Sequence, residues 1–365
     1  MATLPSSSPT PSTVSASKPI GRVKELDGIR GLTATYVVFH NWAGSSTTLP
    51  LWLQKGLLSF GQEAVMVFFL LSGFVMYWSL AGRPKQNFYQ YFIRRFRRIY
   101  FPFICAILLV LGISVSNQGL MSILTGPDFW PTLVGNLLMT QELSTIKPGI
   151  QISPFLGNLP FWTLTYEWWF YFLFFPIYCF FLNHPWRLHT VTLFSLANFA
   201  IYTQVPNIVS LVCSYFILWW SGLELATFVH RRKLSWTTLS PTLFAIAGMT
   251  VITLAPVLSA EKIALGYYPF LVFRHFFAVL IFLLAAKIWY SQRPKLIERF
   301  LSPFEKISPI SYALYLFHYP ILVLWNPEVF DKNLWISIPL KFALLISLSY
   351  LVEVYLQPKV NKVVR

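Results

Sequence analysis

Charged residues are scarce in this chain, and acidic residues are scarcer than basic ones. Asp, Glu, Lys and Arg together make up 11% of the 365 residues, with 13 acidic against 28 basic side chains, whereas soluble domains carry about 25% charged residues. Hydrophobic residues make up 56% of the chain, and the mean hydropathy is +0.58. This composition excludes an ordinary soluble domain and predicts an all-α fold, a polytopic membrane helix bundle.

Cysteine is nearly absent, and so are the common catalytic signatures. The three cysteines, Cys105, Cys179 and Cys213, lie in apolar stretches, so they provide neither a disulfide framework nor the spacing of a metal site. The sequence contains no P-loop, dinucleotide-binding, HExxH or GxSxG motif. It therefore gives no indication of a nucleotide hydrolase, a metal site or a serine hydrolase.

The net charge of +15 does not indicate a nucleic-acid-binding protein. The basic residues lie mostly in short stretches between apolar runs, which is the arrangement that membrane topology requires. We therefore expect the lipid bilayer to be a partner of this chain and nucleic acid not to be one.

Ten apolar segments approach the length of about 20 residues that a membrane-spanning helix needs. The predicted spans are 27–44, 60–81, 99–117, 160–182, 191–205, 207–229, 238–258, 267–289, 309–327 and 335–356. Between the third and fourth spans, residues 118–159 hold Gly, Pro and Asn around one apolar patch at 130–139, which is typical of a re-entrant or interfacial helix. No internal repeat is evident.

The two ends of the chain differ from the predicted transmembrane domain at 24–358. Residues 1–23 are rich in Ser, Thr and Pro without an apolar run, which predicts a disordered tail, and residues 359–365 form a short basic tail. Lys and Arg concentrate in the loops on one side of the predicted bundle. The opposite loops hold only Lys55, Lys147, Lys262 and Lys332. Because cytosolic loops carry the excess of basic residues, both termini are predicted to be cytosolic.

The first predicted span carries two ionisable side chains that are candidates for chemistry. Arg30 lies near its cytosolic end, and His40 follows ten residues later, about 15 Å further along a helix. Ionisable residues inside a span are costly and often functional. The alternatives are an interfacial arginine that extends its side chain to the membrane surface and a histidine that serves only in packing.

The fourth predicted span places a carboxylate at the depth of His40. Glu167 lies about two turns from the outer end of the span, among the aromatic side chains of Trp162 and Tyr166. An imidazole and a carboxylate at one depth can form a general base and its orienting partner. A structural ion pair between two helices is the alternative interpretation.

Small and polar residues also occur in the second and ninth spans. Glu63 opens the second span, and Ser72 and Gly73 in its middle indicate either a helix-packing contact or a place where a ligand approaches the backbone. In the ninth span, His318 is most simply a packing histidine with one hydrogen bond. Pro320 leaves a backbone carbonyl nearby without its helical donor, and this carbonyl is able to accept the hydrogen bond of His318.

A run of four arginines precedes the third predicted span, at its cytosolic entry. Its members are Arg94, Arg95, Arg97 and Arg98. Such a run anchors topology and contacts anionic lipids. The sharper interpretation is a phosphate clamp, because the arginine guanidinium binds phosphate with two hydrogen bonds.

Four sequence blocks together resemble the acyltransferase 3 family of multi-pass membrane acyltransferases. The blocks are 26–31 with His40, 67–74 (VFFLLSGF), 162–171 (WTLTYEWWFY) and 310–320 (ISYALYLFHYP). The arginine run also looks like the basic segment of that family. The blocks occur in order across residues 24–356, at spacings that fit ten helices.

The resemblance implies an O-acyltransferase that uses acyl-CoA, typically acetyl-CoA, as a co-substrate, with no permanently bound cofactor and no metal. The acceptor would be a hydroxyl of a carbohydrate, a lipid or a small natural product. On this resemblance His40 is the general base and Glu167 orients it or balances its charge. The CoA phosphates or thioester would be guided by Arg30, Arg94, Arg95, Arg97 and Arg98. A substrate channel would be lined by Glu63, Ser72, Gly73, Phe74, Trp162, Tyr166 and His318.

One departure from the family pattern concerns the first span. The family usually has ten residues between the arginine and the histidine, and this chain has nine between Arg30 and His40. One residue turns a helix by about 100°, so Asn41 occupies the position of the family histidine unless a π-bulge or an overwound turn restores the alignment.

Two other functions stay open at this point. A transporter or channel would use Arg30, Glu167, Arg274 and His318 as relay groups, but the repeat-related halves typical of such proteins are not evident. The altered spacing is also compatible with a degenerate family member that binds acyl-lipid without turnover. The sequence does not indicate an oligomeric state.

Overall fold

The computed structural model describes residues 24–45, 49–57, 59–81, 87–325 and 334–362. Within these ranges the chain forms helices and no strand, which confirms the all-α prediction. The predicted disordered tail at 1–23 lies outside the described residues. Of the predicted basic tail, residues 359–362 continue a helix and 363–365 lie outside the described part.

The helices follow one another along the chain with short connections. They are α1 (Lys24–Ser45), α2 (Gly61–Leu80), α3 (Phe88–Gln118), α4 (Leu120–Leu124), α5 (Phe129–Leu137), α6 (Trp162–Phe180), α7 (Arg187–Gln204), α8 (Ile208–His230), α9 (Trp236–Leu258), α10 (Phe270–Gln292), α11 (Lys295–Leu301), α12 (Ser311–Tyr319), α13 (Leu334–Tyr350) and α14 (Gln357–Lys362). Short π-helical turns at Leu53–Leu57, Pro320–Leu324 and Leu351–Leu356 and 3₁₀ turns at Phe155–Gly157, Leu159–Phe161, Ser302–Lys306 and Ser308–Ile310 complete the described elements.

Each of the ten predicted segments contains a helix, and the largest difference in bounds is at α3. This helix begins at Phe88 instead of residue 99, because the Asn87 side chain caps it by accepting the N–H of Gln90 over 2.8 Å. The arginine run therefore lies inside α3, and the prediction that it precedes the helix was wrong.

In the part of the chain that the structure describes, six helices are long and apolar enough to cross a membrane, which supports a multi-pass membrane protein. They are α2, α3, α8, α9, α10 and the continuous helix from Trp335 to Lys362. A seventh span results if the pair Lys295–Lys306 and Ser308–Leu324, bent by 47°, is counted as one. The prediction of about ten spans is therefore not confirmed.

The centre of the bundle is the close contact of α2 with α8. A Cβ added to Gly73 would come 2.0 Å from the Trp219 carbonyl oxygen, and one added to Gly222 would come 2.0 Å from the Leu70 carbonyl oxygen. The two backbones thus touch, as small residues allow at membrane helix interfaces. Of the two interpretations of Gly73, the packing contact is the one that the structure supports.

The end of α1 packs on the start of α2, and the end of α2 contacts the first turns of α3, so the bundle has two distinct ends. We call the end at which α1 and α3 begin the basic end, and the end at which α2, α6 and α10 begin the loop end. Residues 138–161, which we call the cap segment, connect α5 to α6 at the loop end. This segment is fixed to its neighbours by hydrogen bonds such as Tyr202 Oη to the Pro148 carbonyl, 3.0 Å, and Tyr268 N to the Ile146 carbonyl, 2.9 Å.

Candidate active site

His40 lies one turn before the end of α1, half-buried at the loop end of the bundle. Its ring packs on the first residue of α2: a Cβ added to Gly61 would come 2.0 Å from His40 Cδ2 and 2.5 Å from Nε2. The glycine therefore makes room for the imidazole. His40 is also close enough to His318 of α12 for the two rings to interact electrostatically.

Asn41 joins α1 to α12 beside His40. Its Nδ2 donates to the Val37 carbonyl and to His318 Nε2, each over 3.1 Å. The other ring nitrogen of His318, Nδ1, lies 2.7 Å from the Tyr315 carbonyl. Eleven residues of helix turn through about three full circles plus 20°, so Asn41 shares the face of Arg30, whereas His40 points roughly 80° away, toward α2.

An ion pair between α2 and α10 completes this region. Arg274 Nη2 lies 2.6 Å from Glu63 Oε1, with side chains that are 17% and 8% exposed. Arg274 also donates to the Leu265 carbonyl over 2.7 Å. The Tyr36 hydroxyl of α1 accepts the N–H of Phe60 over 3.2 Å. We call Tyr36, His40, Asn41, Glu63, Arg274 and His318 the loop-end cluster.

A second polar group lies deeper in the bundle, around Glu167 of α6. The Tyr171 hydroxyl donates to Glu167 Oε1 over 2.8 Å and lies 3.1 Å from Ser72 Oγ. The charge of Glu167 interacts with those of Arg98, Arg95 and Arg30. We call these three arginines with Glu167 the central arginine cluster.

The three arginines of this cluster are held in different ways. Arg30 lies 3.5 Å from Asp27, and Arg98 is bonded to Glu353. Arg95 donates to Met76 Sδ over 3.0 Å and stacks 5.2 Å above the Tyr171 ring. Within the described residues no carboxylate forms an ion pair with Arg95, so this cation is the one best placed to receive an anion.

The other two arginines of the run are not among the charges that act on Glu167. Arg94 is exposed, and Arg97 donates to the Asn361 carbonyl over 3.4 Å. The helical period accounts for Arg97, which lies about 160° around α3 from Arg95, whereas Arg98 lies only about 60° from Arg95.

The structure does not bring His40 and Glu167 together. Helix α1 packs on α2 and α12, whereas α6 packs on α2, α3 and α8. Within the described residues, Glu167 is hydrogen-bonded to Tyr171 and lies within electrostatic range of the central arginines. A similar depth in two helices does not define which way each side chain points, and that is why the predicted pair is not formed.

Trp162 and Tyr166, predicted to line a channel, surround a buried lysine of the cap segment. Lys147 Nζ donates to Glu142 Oε2 over 3.0 Å and to the Tyr166 hydroxyl over 3.3 Å, and lies 4.5 Å above the Trp162 ring. The side chains of Lys147 and Glu142 are 0% exposed. Burial lowers the pKa of the Lys147 amine, and the Glu142 carboxylate opposes this effect. The pair fixes the cap segment over the bundle.

The structure also gives the partners of His318, Phe74 and Ser72. Pro320 leaves the Leu316 carbonyl without its helical donor, and this carbonyl accepts a hydrogen bond from Asn158 Nδ2 over 3.3 Å instead of one from His318. Phe74 is buried and stacks on Trp78, and Ser72 Oγ accepts the Trp219 Nε1–H over 3.1 Å. Sequence reasoning assigned no role to Glu142, Lys147 or Asn158, and the one signal for this group was that Lys147 is among the four lysines of the outer loops.

Clusters of His, Cys, Asp or Glu that are able to hold a metal ion are absent from the described part of the chain. The two polar clusters are instead connected through α1, which carries Arg30 in the central cluster and His40 and Asn41 in the loop-end cluster. This arrangement offers cationic donors for an anionic group at one level and imidazoles for proton transfer at another.

Comparison with known proteins gives two matches. A family model described as an acyltransferase domain matches residues 23–357. Acyltransferase MdmB of Streptomyces mycarofaciens is 38% identical over 118 residues, which are 32% of this chain and 28% of that protein. The alignment thus spans less than a third of the relative. No solved structure matches the chain.

Proposed function

Because the chain belongs to the acyltransferase 3 family, whose model matches residues 23–357, we propose that it is a membrane O-acyltransferase. The donor is acyl-CoA, typically acetyl-CoA, and the acceptor is a hydroxyl of a carbohydrate, a lipid or a small natural product. The observation that carries the proposal is that α1 of this family domain joins an arginine cluster to a histidine cluster.

The donor binds from the basic end of the bundle, which faces the cytosol together with both termini. The excess of Lys and Arg on this side supports the orientation. Arg95 is the principal contact to the donor, because it is the cluster arginine without an ion-paired carboxylate and its guanidinium is able to bind phosphate or polarise a thioester carbonyl. Arg30 and Arg98 add positive charge beside it.

Transfer takes place near the loop end, with His40 as the general base. The acceptor oxygen attacks the thioester carbonyl carbon, and a ring nitrogen of His40 takes the hydroxyl proton. The carbon–sulfur bond then breaks, and the CoA thiolate takes the proton back from His40 and leaves as the thiol. Proton removal by a positioned base is typically worth about 10² to 10⁴-fold in rate, and no residue of the chain is acylated.

Glu167 has a different role from the one expected of a partner of His40. Its carboxylate accepts a hydrogen bond from the Tyr171 hydroxyl, and the same tyrosine ring lies under Arg95, 5.2 Å from the guanidinium carbon. Glu167 therefore positions Arg95 through Tyr171 and offsets part of the positive charge of the cluster. Its loss is expected to weaken donor binding more than proton transfer.

A transfer assay tests the proposed function directly. Membranes containing the protein are incubated with acetyl-labelled acetyl-CoA and a methanol extract of the source cells, and products are separated by mass spectrometry. The expected result is a protein-dependent product heavier by one acetyl group, with one CoA thiol released per product. Solute flux without label transfer would support a transporter instead, and neither activity would support an acyl-lipid binder.

A further inference from the structure

The two hydrogen bonds of Asn41 fix the orientation of its amide. One goes to the Val37 carbonyl and the other to His318 Nε2, each 3.1 Å long. A carbonyl oxygen only accepts hydrogen bonds, so the nitrogen of the Asn41 amide has to face Val37. The same nitrogen therefore presents an N–H, and not a lone pair, to His318.

The partners of His318 determine which of its nitrogens carries a proton. Nδ1 lies 2.7 Å from the Tyr315 carbonyl, which requires a proton on Nδ1. Nε2 faces the Asn41 N–H, which requires a lone pair on Nε2. Both nitrogens are thus satisfied in the neutral ring. A proton on Nε2 would need the Asn41 amide to turn over, which would place its oxygen against the Val37 carbonyl.

His318 is also prevented from moving away from Asn41. Its side chain is fully buried, and α12 is held on its other side by the cap segment. Asn158 Nδ2 donates to the Leu316 carbonyl over 3.3 Å, and the Tyr315 hydroxyl donates to the Pro160 carbonyl over 3.2 Å. Contacts from α1, α12 and the cap segment therefore hold the ring in this hydrogen-bonded arrangement.

We propose that Asn41 is a positioning residue that keeps His318 uncharged, so that the proton of the acceptor hydroxyl goes to His40. This inference rests on the proposed function. The titratable groups around His318 are His40 of α1 and the phenols of Tyr315 and Tyr319 on its own helix. A positive charge on His318 would oppose a second one on His40, and the amide of Asn41 prevents it.

The test compares Asn41→Asp with a matched change at Asn198. An aspartate at position 41 has no N–H to donate to Nε2. Its carboxylate instead accepts a hydrogen bond from a protonated Nε2, and so favours a charged His318 ring. Asn198 of α7 is half-buried and also donates to the carbonyl four residues before it, that of Phe194, over 2.9 Å, but it lies outside the loop-end cluster. Asn198→Asp therefore controls for the added charge.

Two measurements separate this role from a purely structural one. In lipid nanodiscs at pH 7, ¹⁵N NMR of histidine-labelled protein reports the protonation of each ring nitrogen, with His318 assigned by the signal lost in His318→Gln. We expect a protonated Nδ1 and a bare Nε2 in the wild type and in Asn198→Asp, and protons on both nitrogens in Asn41→Asp. The kcat of Asn41→Asp falls about tenfold or more, with KM for acetyl-CoA unchanged.

Each outcome decides the inference. A wild-type ring with a protonated Nε2, or wild-type kcat in Asn41→Asp, would overturn it. If Asn41→Asp does not fold, Asn41→Leu removes the amide without adding charge and is expected to lower kcat while KM for acetyl-CoA stays the same. If the wild type transfers no label although the NMR result is as expected, the proposed function is overturned and the hydrogen-bonded state of His318 is confirmed.

Discussion

The imidazole of His40 occupies the space that a side chain at Gly61 would need. The His40 ring atoms come within 2.0 to 2.5 Å of the position of a Cβ on Gly61, closer than any two nonbonded carbon atoms can lie. The first residue of α2 therefore determines where the ring of α1 points. Substitution at Gly61 displaces the proposed base without touching it chemically.

We expect Gly61→Ala to lower the transfer rate by about tenfold to a hundredfold, because a misplacement of about 1 Å is enough to cost that much. The protein should still insert and fold, since an alanine is tolerated in a helix. Gly248→Ala in α9 is the matched control, because nothing lies within 4 Å of a Cβ there. Equal rates in the two variants would contradict the proposed position of His40.

Arg95→Met is expected to weaken binding of the donor. A hydrogen bond to a charged group is worth about 1.5 to 3 kcal/mol, so the dissociation constant of coenzyme A should rise by about tenfold or more. Calorimetric titration of the purified protein with coenzyme A measures this without any acceptor. Arg231→Met, an exposed arginine just after α8, should bind like the wild type. An unchanged affinity in Arg95→Met would remove Arg95 from the donor site.

Lys147→Met is expected to destabilise the protein by about 3 to 5 kcal/mol, because it leaves the Glu142 carboxylate buried without its partner. Replacing both residues, as in Lys147→Met with Glu142→Leu, should recover most of the loss. Thermal unfolding in detergent, followed by the fluorescence of a thiol-reactive dye, measures the difference. If the double variant is no more stable than the single one, the two charges do not act as a pair.

The pH dependence of stability provides an independent test of Lys147. Burial lowers the pKa of its amine in the folded protein, while the unfolded chain keeps the proton up to the ordinary lysine pKa of about 10.4. Between the two values the unfolded state binds more protons, so the free energy of unfolding rises with pH. The stability advantage of the wild type over Lys147→Met should therefore increase with pH as the pH approaches the ordinary lysine pKa from below.

Hydropathy alone placed a helix in each of the ten predicted segments, because an apolar run of about 20 residues has few alternatives to a helix. It failed at the start of α3, where four arginines lower the hydropathy but remain good helix formers and Asn87 supplies the cap. It also did not establish how many helices cross the membrane. Helix α1, with Lys24, Glu25 and Arg30 in its first two turns, is not among the six clear spans.

The candidate site was predictable in its residue types but not in its pairings. Position along a helix gives the depth of a side chain, and depth suggested His40 with Glu167. The direction in which a side chain points depends on which helices are neighbours, and this comes from contacts between distant parts of the chain. Arg98 and Glu353, 255 residues apart, form such a contact. The angle between His40 and Asn41 on α1 followed directly from the helical period.

Chemical rescue of His40→Ala tests the central claim most directly. In the labelled acetyl-CoA assay this variant should lose transfer by about 10² to 10⁴-fold, and added imidazole should restore part of the rate by replacing the missing ring beside Gly61. His189→Ala, an exposed histidine of α7, should keep the wild-type rate with or without imidazole. Wild-type transfer by His40→Ala, or a loss that imidazole does not reduce at any concentration, would contradict the role of His40 as the base.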